Sequence, residues 1–383
     1  MTEQTQHQEK SWYDRWYKIL FIIPIILTVL SLIYLGFFFA KHNDLMFKDA
    51  SLSGGTTITL HGDAPDNLES SLKEKFPDVN FRKLTDINSG KPIAIIIESS
   101  VKPEVLKPSL EEILGYKLTD ENSSIEFSGP TLSQTFYLEL IKIVLLAFIL
   151  MALVIFLIFG ASTRIKAISI ALSLSAVRLT FPAKLSLTIL VIVIGVAALI
   201  YSLAKSKTKK DLLFSAIASI IFVIILFFPV YYFIYAITII LLITYLLESL
   251  PSIAVIFAAF SDIVMALVVV DLLEIKLSAA GIAAFLMLIG YSVDTDILLT
   301  TRALRKKEGT LNERIYGAFK TGMLMTITGL VAVFPAFLLV TGLPDSFRQI
   351  FLILGLGLSA DIINTWLTNA SIIKWYCIKK KIT

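Results

Sequence analysis

At 383 residues, 56% of them hydrophobic and with a mean hydropathy of +0.80, the chain carries more apolar surface than a soluble fold of this length can bury. It reads as a helical membrane protein. Its net charge of +4 comes from short Lys and Arg clusters between apolar runs, a topology signal that argues against a nucleic-acid surface. The single cysteine, Cys377, excludes an internal disulfide, and His7, His42 and His61 lie outside the apolar runs, so neither a metal nor another cofactor is expected.

The first apolar run, Ile19 to Ala40, is long enough to cross a bilayer core of about 30 Å. Trp12, Tyr13, Trp16 and Tyr17 precede it as an interfacial belt, with Lys10, Arg15 and Lys18 on the same side. Its length, and the lack of a small-x-small site before Lys41, favour an uncleaved anchor over a signal peptide. Residues 1–40 are therefore read as an N-terminal segment with a first span. Residues 41–136 are the only extended polar stretch. Short strands are expected at Thr56–Leu60, Asn80–Leu84, Ile93–Glu98 and Ser124–Phe127, with helices over Pro65–Phe76 and Pro103–Leu114, each opened by proline. The order β-α-β-β-α-β predicts a ferredoxin-like α+β domain. Its fifteen acidic against ten basic residues place it outside the cell, opposite the basic clusters.

A second span occupies residues 137–160. The segment 161–250 holds four further apolar stretches, Ala167–Phe181, Leu185–Ala204, Leu212–Phe228 and Tyr231–Leu247. Lys205, Lys207, Lys209 and Lys210 between the middle two require the cytoplasmic side, which four crossings satisfy. Ala167–Phe181 is short and carries Arg178, so a re-entrant or interfacial placement stays open; ten spans are expected, with eight as the alternative. Residues 251–383 supply four more, Ile253–Leu273, Leu277–Thr300, Gly322–Val340 and Ile350–Ile373. The basic loop 302–320 and the tail Lys379-Lys380-Lys381 lie inside, and the connectors Glu274–Lys276 and Thr341–Arg348 outside. Both termini are then cytoplasmic, in a multi-pass protein of the cell membrane.

Several short motifs punctuate this plan. Leu52-Ser53-Gly54-Gly55-Thr56 opens the polar domain with a glycine-permitted turn, and Phe127-Ser128-Gly129-Pro130-Thr131-Leu132 closes it. Pro251-Ser252-Ile253-Ala254 leads to Ala259-Phe260-Ser261-Asp262-Ile263. Gly290-Tyr291-Ser292-Val293-Asp294-Thr295-Asp296 runs on to Arg302 inside an apolar run. Ala318-Phe319-Lys320-Thr321-Gly322 and Asn364-Thr365-Trp366-Leu367-Thr368-Asn369-Ala370 follow. Together they resemble the SecD/SecF subunits of the protein-export translocon, and the archaeal SecF branch in particular, over residues 12–160 and 251–380. No counterpart is recognised for 161–250. Two departures stand out: bacterial SecF carries an Asn-Asp pair at Asp294-Thr295, and an Arg at the position of Lys320.

The intramembrane charges are the candidate site. Asp294 and Asp296 lie roughly 200° apart on a helix and cannot share one face. Asp294 falls on a stripe with Tyr291 and Thr301 and is expected to face the bundle interior, paired with Lys320 or water; Asp296 groups with Thr300 nearer the cytoplasmic end. Lys320 has a second reading, snorkelling to the interface. Asp262, among the small residues Ala258, Ala259 and Ser261, reads either as a relay member or as a structural hydrogen-bonding group. Asp361 and Asn364, one turn apart, read as structural.

The resemblance implies a polytopic bundle of the RND and SecDF type with one extracytoplasmic ferredoxin-like domain. It implies a non-enzymatic auxiliary subunit that acts with a SecD-like subunit and a SecY-type channel on exported polypeptide, with ion flow through the polar residues as a further implication. A stand-alone transporter of the RND superfamily is the alternative, although that normally needs two external domains and twelve spans. An intramembrane aspartyl protease built on Asp262 and Asp294 is an enzyme alternative, and requires those two carboxylates in contact.

Overall fold

A computed structural model of the chain describes residues 12–62, 65, 67–85, 92–182, 184–228, 230–305, 309–339 and 345–382. Lys10, residues 306–308 of the basic loop and residues 341–344 of the last outer connector lie outside these.

The N-terminal run folds as α1 (Trp12–Leu20) and α2 (Ile22–His42). Then come α3 (Ala50–Ser53), β1 (Gly55–His61), α4 (Leu68–Lys75), β2 (Asn80–Thr85), β3 (Pro92–Ser99), α5 (Pro103–Leu114) and β4 (Ser123–Ser128). The strands form one antiparallel sheet in the order β2-β3-β1-β4, with Ile58 opposite Ile97 on one side and Ile125 on the other. Helices α4 and α5 bury Leu68, Leu72, Leu106 and Leu110 against Ile58, Leu60, Ile95 and Ile97, which closes a core within the domain. Pro103 stands at the start of α5, whereas α4 begins three residues after Pro65, with Leu68 N–H donating to the Pro65 carbonyl.

The domain is fastened to the helices below it. Gly54 has φ +86° and a Cβ there would lie 2.5 Å from Pro130 Cα; Gly55 has φ +142° and a Cβ would lie 2.4 Å from the Ser99 carbonyl. Both positions therefore need glycine, for conformation and for close approach. Asp49 N–H donates to the Leu277 carbonyl at 3.0 Å, and Leu277 N–H donates to Phe47 at 2.7 Å. Tyr137 Oη donates to Asp44 at 2.8 Å, and Lys48 lies over the Tyr137 ring while ion-pairing with Asp44.

The remaining helices are α6 (Pro130–Phe159), α7 (Thr163–Thr180), α8 (Leu185–Ala204), α9 (Lys209–Phe227), α10 (Phe233–Glu248), α11 (Leu250–Leu272), α12 (Ala279–Arg305), α13 (Leu311–Leu339), α14 (Asp345–Ile363) and α15 (Ala370–Lys379). A π-helical turn, Asn364–Asn369, joins α14 to α15. Eight helical stretches among the described residues are long and apolar enough to cross a membrane; α10 is shorter, and α7 is more polar. Helix α7 is nonetheless the packed centre of its neighbourhood, burying Ile168, Ala171, Leu172, Ser173, Ser175 and Ala176. Small residues around its surface let α6, α8, α9 and α10 approach closely.

Helices α7 to α10 leave the bundle and return to it at one point. Ser249 Oγ, just before α11, donates to the Phe159 carbonyl at the end of α6. At that same end Arg164 of α7 pairs with Asp211 of α9 at 2.8 Å. Part-way along α6, Lys142 sits over the Tyr231 ring before α10.

Because its core is closed within residues 58–125, the polar domain expressed alone is expected to be a soluble monomer with mixed helix–strand circular dichroism. Gly55→Ala should destabilise it by about 1–3 kcal/mol, the cost of strained backbone. Urea unfolding measures this; an all-helical product or an unshifted midpoint contradicts the packing described.

Candidate functional site

Three of the five candidate intramembrane charges converge in one sealed seam. Asp262 comes from α11, Asp296 from α12 and Asp361 from the end of α14, and each has no solvent exposure. The π-turn supplies most of their partners. Asn364 Nδ2 donates to Asp262 Oδ1 at 2.7 Å, and Asn369 Nδ2 donates to Asp296 Oδ1 at 2.7 Å. Thr365 Oγ1 stands 2.8 Å from both Asp296 Oδ1 and Asp361 Oδ1. Ser292 Oγ on α12 donates to Asp262 Oδ2, and Thr326 on α13 reaches Asp361 at 3.4 Å. The π-turn presents Asn364, Thr365, Thr368 and Asn369 on one buried side. Close crossings hold the seam shut: a Cβ on Gly322 would lie 2.9 Å from Thr295, and one on Gly357 2.2 Å from Leu288.

Asp294 and Lys320 are placed differently from the expectation. Asp294 is exposed on the outward face of α12, in line with Met287, Gly290 and Tyr291, while Ser292, Thr295, Asp296, Leu299 and Thr300 form the buried face. Lys320 is exposed on α13, and no ion pair joins it to Asp294 among the described residues. The physical reason is the rotation of α12. The polar π-turn packs against the Ser292–Asp296–Thr300 side, where it provides donors, and this turns Asp294 outward. Asp296 is accordingly the deep residue of the two, and Asp361 with Asn364 belongs to the same network as Asp262. The outward turn of Asp294 also removes the aspartyl dyad that would have paired it with Asp262.

The other motif residues divide between the two faces. Gly290 has open space around it and Tyr291 is 55% exposed. Arg302 staples α12 to α13, donating to the Gly317 carbonyl at 2.6 Å and Thr321 Oγ1 at 2.9 Å. Thr365 and Asn369 were missed as site residues. Their signal was a run of polar residues at spacing one, four and five inside an apolar span.

Removing Asp296 strips the acceptor from Thr365 and Asn369 and should cost about 1–3 kcal/mol per orphaned buried partner. Asp294→Ala, on an exposed face, orphans no buried partner and should not destabilise the chain. Thermal unfolding of the purified chain in detergent is expected to show Asp296→Ala clearly destabilised and Asp294→Ala at least as stable as the parent; the reverse order contradicts the assigned rotation of α12.

Comparison with known proteins gives this architecture a family. Residues 221–379 match the model of the protein export membrane protein SecD/SecF, C-terminal. The protein-export membrane protein SecF of Methanocaldococcus jannaschii is 30% identical over 365 residues, 94% of this chain and 95% of that one. SecF of Pyrococcus furiosus is 28% identical over 367 residues, 95% and 92% of the two chains. SecF of Methanothermobacter thermautotrophicus is 48% identical over 132 residues, a match that spans 34% of this chain and 46% of the relative. The near-full-length alignments run through residues 161–250, so the segment without a recognised counterpart lies within those matches. Among solved structures, the translocon-associated membrane protein SecDF of Thermus thermophilus superposes with a TM-score of 0.51 at 12% identity. It covers 96% of this chain and 39% of that one, which is a likeness of fold. By these matches the chain belongs to the SecF family of protein-export membrane proteins.

Proposed function

We propose that this chain acts as an auxiliary subunit of the Sec export machinery, docking a SecD-like membrane subunit through the outward face of α12 and assisting a SecY-type channel in passing exported polypeptide. The observation that carries this reading is Asp294. It lies 15 residues from the start of α12 and 11 from its end, about 22 Å and 16 Å from the two termini. A carboxylate at that depth on a lipid-facing surface costs several kcal/mol, and such groups almost always face protein or water. Gly290, with nothing near it, allows a partner helix to approach closely one turn away. Helix α13, with Lys320 exposed about 14 Å from its start, is the least buried of the candidate spans.

The polar domain, residues 41–136, is placed outside the cell and both termini in the cytoplasm. The acidic balance of the domain and the basic residues at the opposite end of the bundle support this. A cleft of about 350 Å³ between the domain and the bundle, lined by Phe81, Ile275, Phe337 and Leu352 together with Glu98, Lys276 and Arg348, gives a surface of mixed character on that side for an emerging chain. Membrane lipid covers the remaining apolar faces.

Tagged chain purified in mild detergent from its own membrane is expected to bring down a SecD-like subunit. Gly290→Trp should reduce that recovery at least about tenfold, equivalent to about 1.4 kcal/mol of association energy. Ile239→Trp, on the exposed face of α10, should not. A solitary wild-type chain, or equal recovery with Gly290→Trp, contradicts the reading.

A further inference from the structure

Helix α6 meets α10 and the residues just before it at two levels. The Phe156 and Tyr245 rings stack at 4.3 Å between centroids, and further back along α6 the Lys142 ammonium lies 4.7 Å from the centre of the Tyr231 ring. Between these contacts α6, α10 and α11 line a cavity of about 740 Å³. Leu145 and Phe148 of α6, Leu242 and Leu246 of α10, and Phe257 and Phe260 of α11 form much of its wall. Along α11 the lining runs from Ile253 to Leu267, about 21 Å of helix. That exceeds half of a bilayer core of about 30 Å.

The wall suits hydrocarbon and little else. Among the described residues Tyr235 and Thr238 carry its only hydroxyls, and Thr238 Oγ1 already donates to the Ile234 carbonyl at 2.8 Å. A polar occupant would lose its hydration there with almost nothing in return. A transmembrane helix is also a poor match, because helices associate in membranes through small residues that let backbones approach. This chain buries such residues at its own crossings, as at Ala171 and Ala176 of α7 and Ala258 and Ala259 of α11. No Gly, Ala or Ser lines the cavity among the described residues, and its long branched and aromatic side chains fit a flexible chain better than a second helix.

One end of the cavity carries a cation. Lys142 stands 17 residues from the end of α6, about 26 Å along the helix. A helix crossing a core of about 30 Å therefore brings its ammonium close to the bilayer surface on the domain's side. Tyr231, Tyr232 and Tyr235 stand with it, the Tyr231 ring 6.5 Å from that of Tyr232 and 6.0 Å from that of Tyr235, and tyrosines favour the headgroup level. Lys142 meets the Tyr231 ring and forms no ion pair among the described residues, Glu139 one turn away included. Exposed Tyr235 belongs both to this cluster and to the lining, so the cation and the apolar wall are continuous.

We infer that the cavity between α6, α10 and α11 is a binding site for one anionic phospholipid from the leaflet on the domain's side. Lys142 holds the headgroup phosphate, the tyrosines flank it, and an acyl chain lies along Phe148, Leu242 and Phe260. The lipid fills the space between α10 and the bundle where the two helices part, and so joins the 161–250 segment to the rest. The site involves neither Asp294 nor Lys320 and stands whether or not a partner docks on α12.

Native mass spectrometry of the full chain, released from nanodiscs of equal phosphatidylglycerol and phosphatidylcholine, reads the retained lipid by its mass. One phosphatidylglycerol per chain is expected, favoured about fivefold or more over phosphatidylcholine. Lys142→Gln should keep a bound lipid but bring the two headgroups to parity, and Val144→Trp, which fills the cavity, should remove the lipid. Lys184→Gln, an exposed lysine outside the lining, should leave the pattern unchanged. Phosphatidylglycerol added to the chain in detergent should also raise its melting temperature, and Lys142→Gln should lose that rise; this second reading holds even where Val144→Trp fails to fold. No retained lipid overturns the inference, as does an undiminished headgroup preference in Lys142→Gln or an equal loss in Lys184→Gln. Displacement of the lipid by an equimolar apolar helical peptide overturns it too, since the cavity then takes a helix. None of these readings needs a partner or export, so they are decided separately from the docking reading.

Discussion

The constraint on which the rest depends is the burial of three carboxylates between helices, held by hydroxyl and amide donors. A bilayer offers no water to repair an unsatisfied group, so the seam needs donors from the chain itself. The π-turn of the last span supplies them: two asparagines and a threonine reach the carboxylates of α11 and α12. It also explains why α12 is rotated as it is, and so why the first carboxylate of the Asp-Thr-Asp sequence points out of the bundle. Interior network and exterior charge are two consequences of one packing choice.

The remaining architecture holds this seam in place and connects it to the soluble domain. Leu277, immediately before α12, bonds to both Phe47 and Asp49 through its backbone. Gln349, near the start of α14, accepts from Ser278 N–H and Oγ and donates to the Lys276 carbonyl. The domain therefore rests on the same connector that begins α12, the helix that carries both Asp294 and Asp296. Helices α7 to α10 sit to one side, packed on α6 and α11 through Phe156, Tyr245, Val255 and Ile256. They buttress the bundle without contributing to the polar seam.

Much of this was legible in the sequence, for physical reasons. Bilayer thickness sets a minimum run of apolar residues, so the spans announce themselves, and strand alternation revealed the β-α-β-β-α-β order. The glycine pair at 54 and 55 was readable as a turn, though its tight approach to Pro130 and Ser99 was not. In the site, the spacing of Asp294 and Asp296 established that they face different ways. Which of them faces inward depends on where the Asn364–Asn369 turn packs, and that is a tertiary fact. The polar residues at 364, 365, 368 and 369 share one helical face, but what that face touches is a tertiary fact, so Thr365 and Asn369 escaped a reading centred on charged residues.

The central claim is that the polar residues of α12 serve two different faces, one closed within the chain and one completed by another subunit. A structure of the chain bound to its membrane partner tests this most directly. The account predicts Asp296 within hydrogen-bond distance of Thr365 and Asn369 as in the chain alone, and Asp294 enclosed by polar or cationic groups of the partner. Asp294 left against lipid with the partner bound elsewhere, or Asp294 and Asp296 exchanging places by rotation of α12, would contradict it.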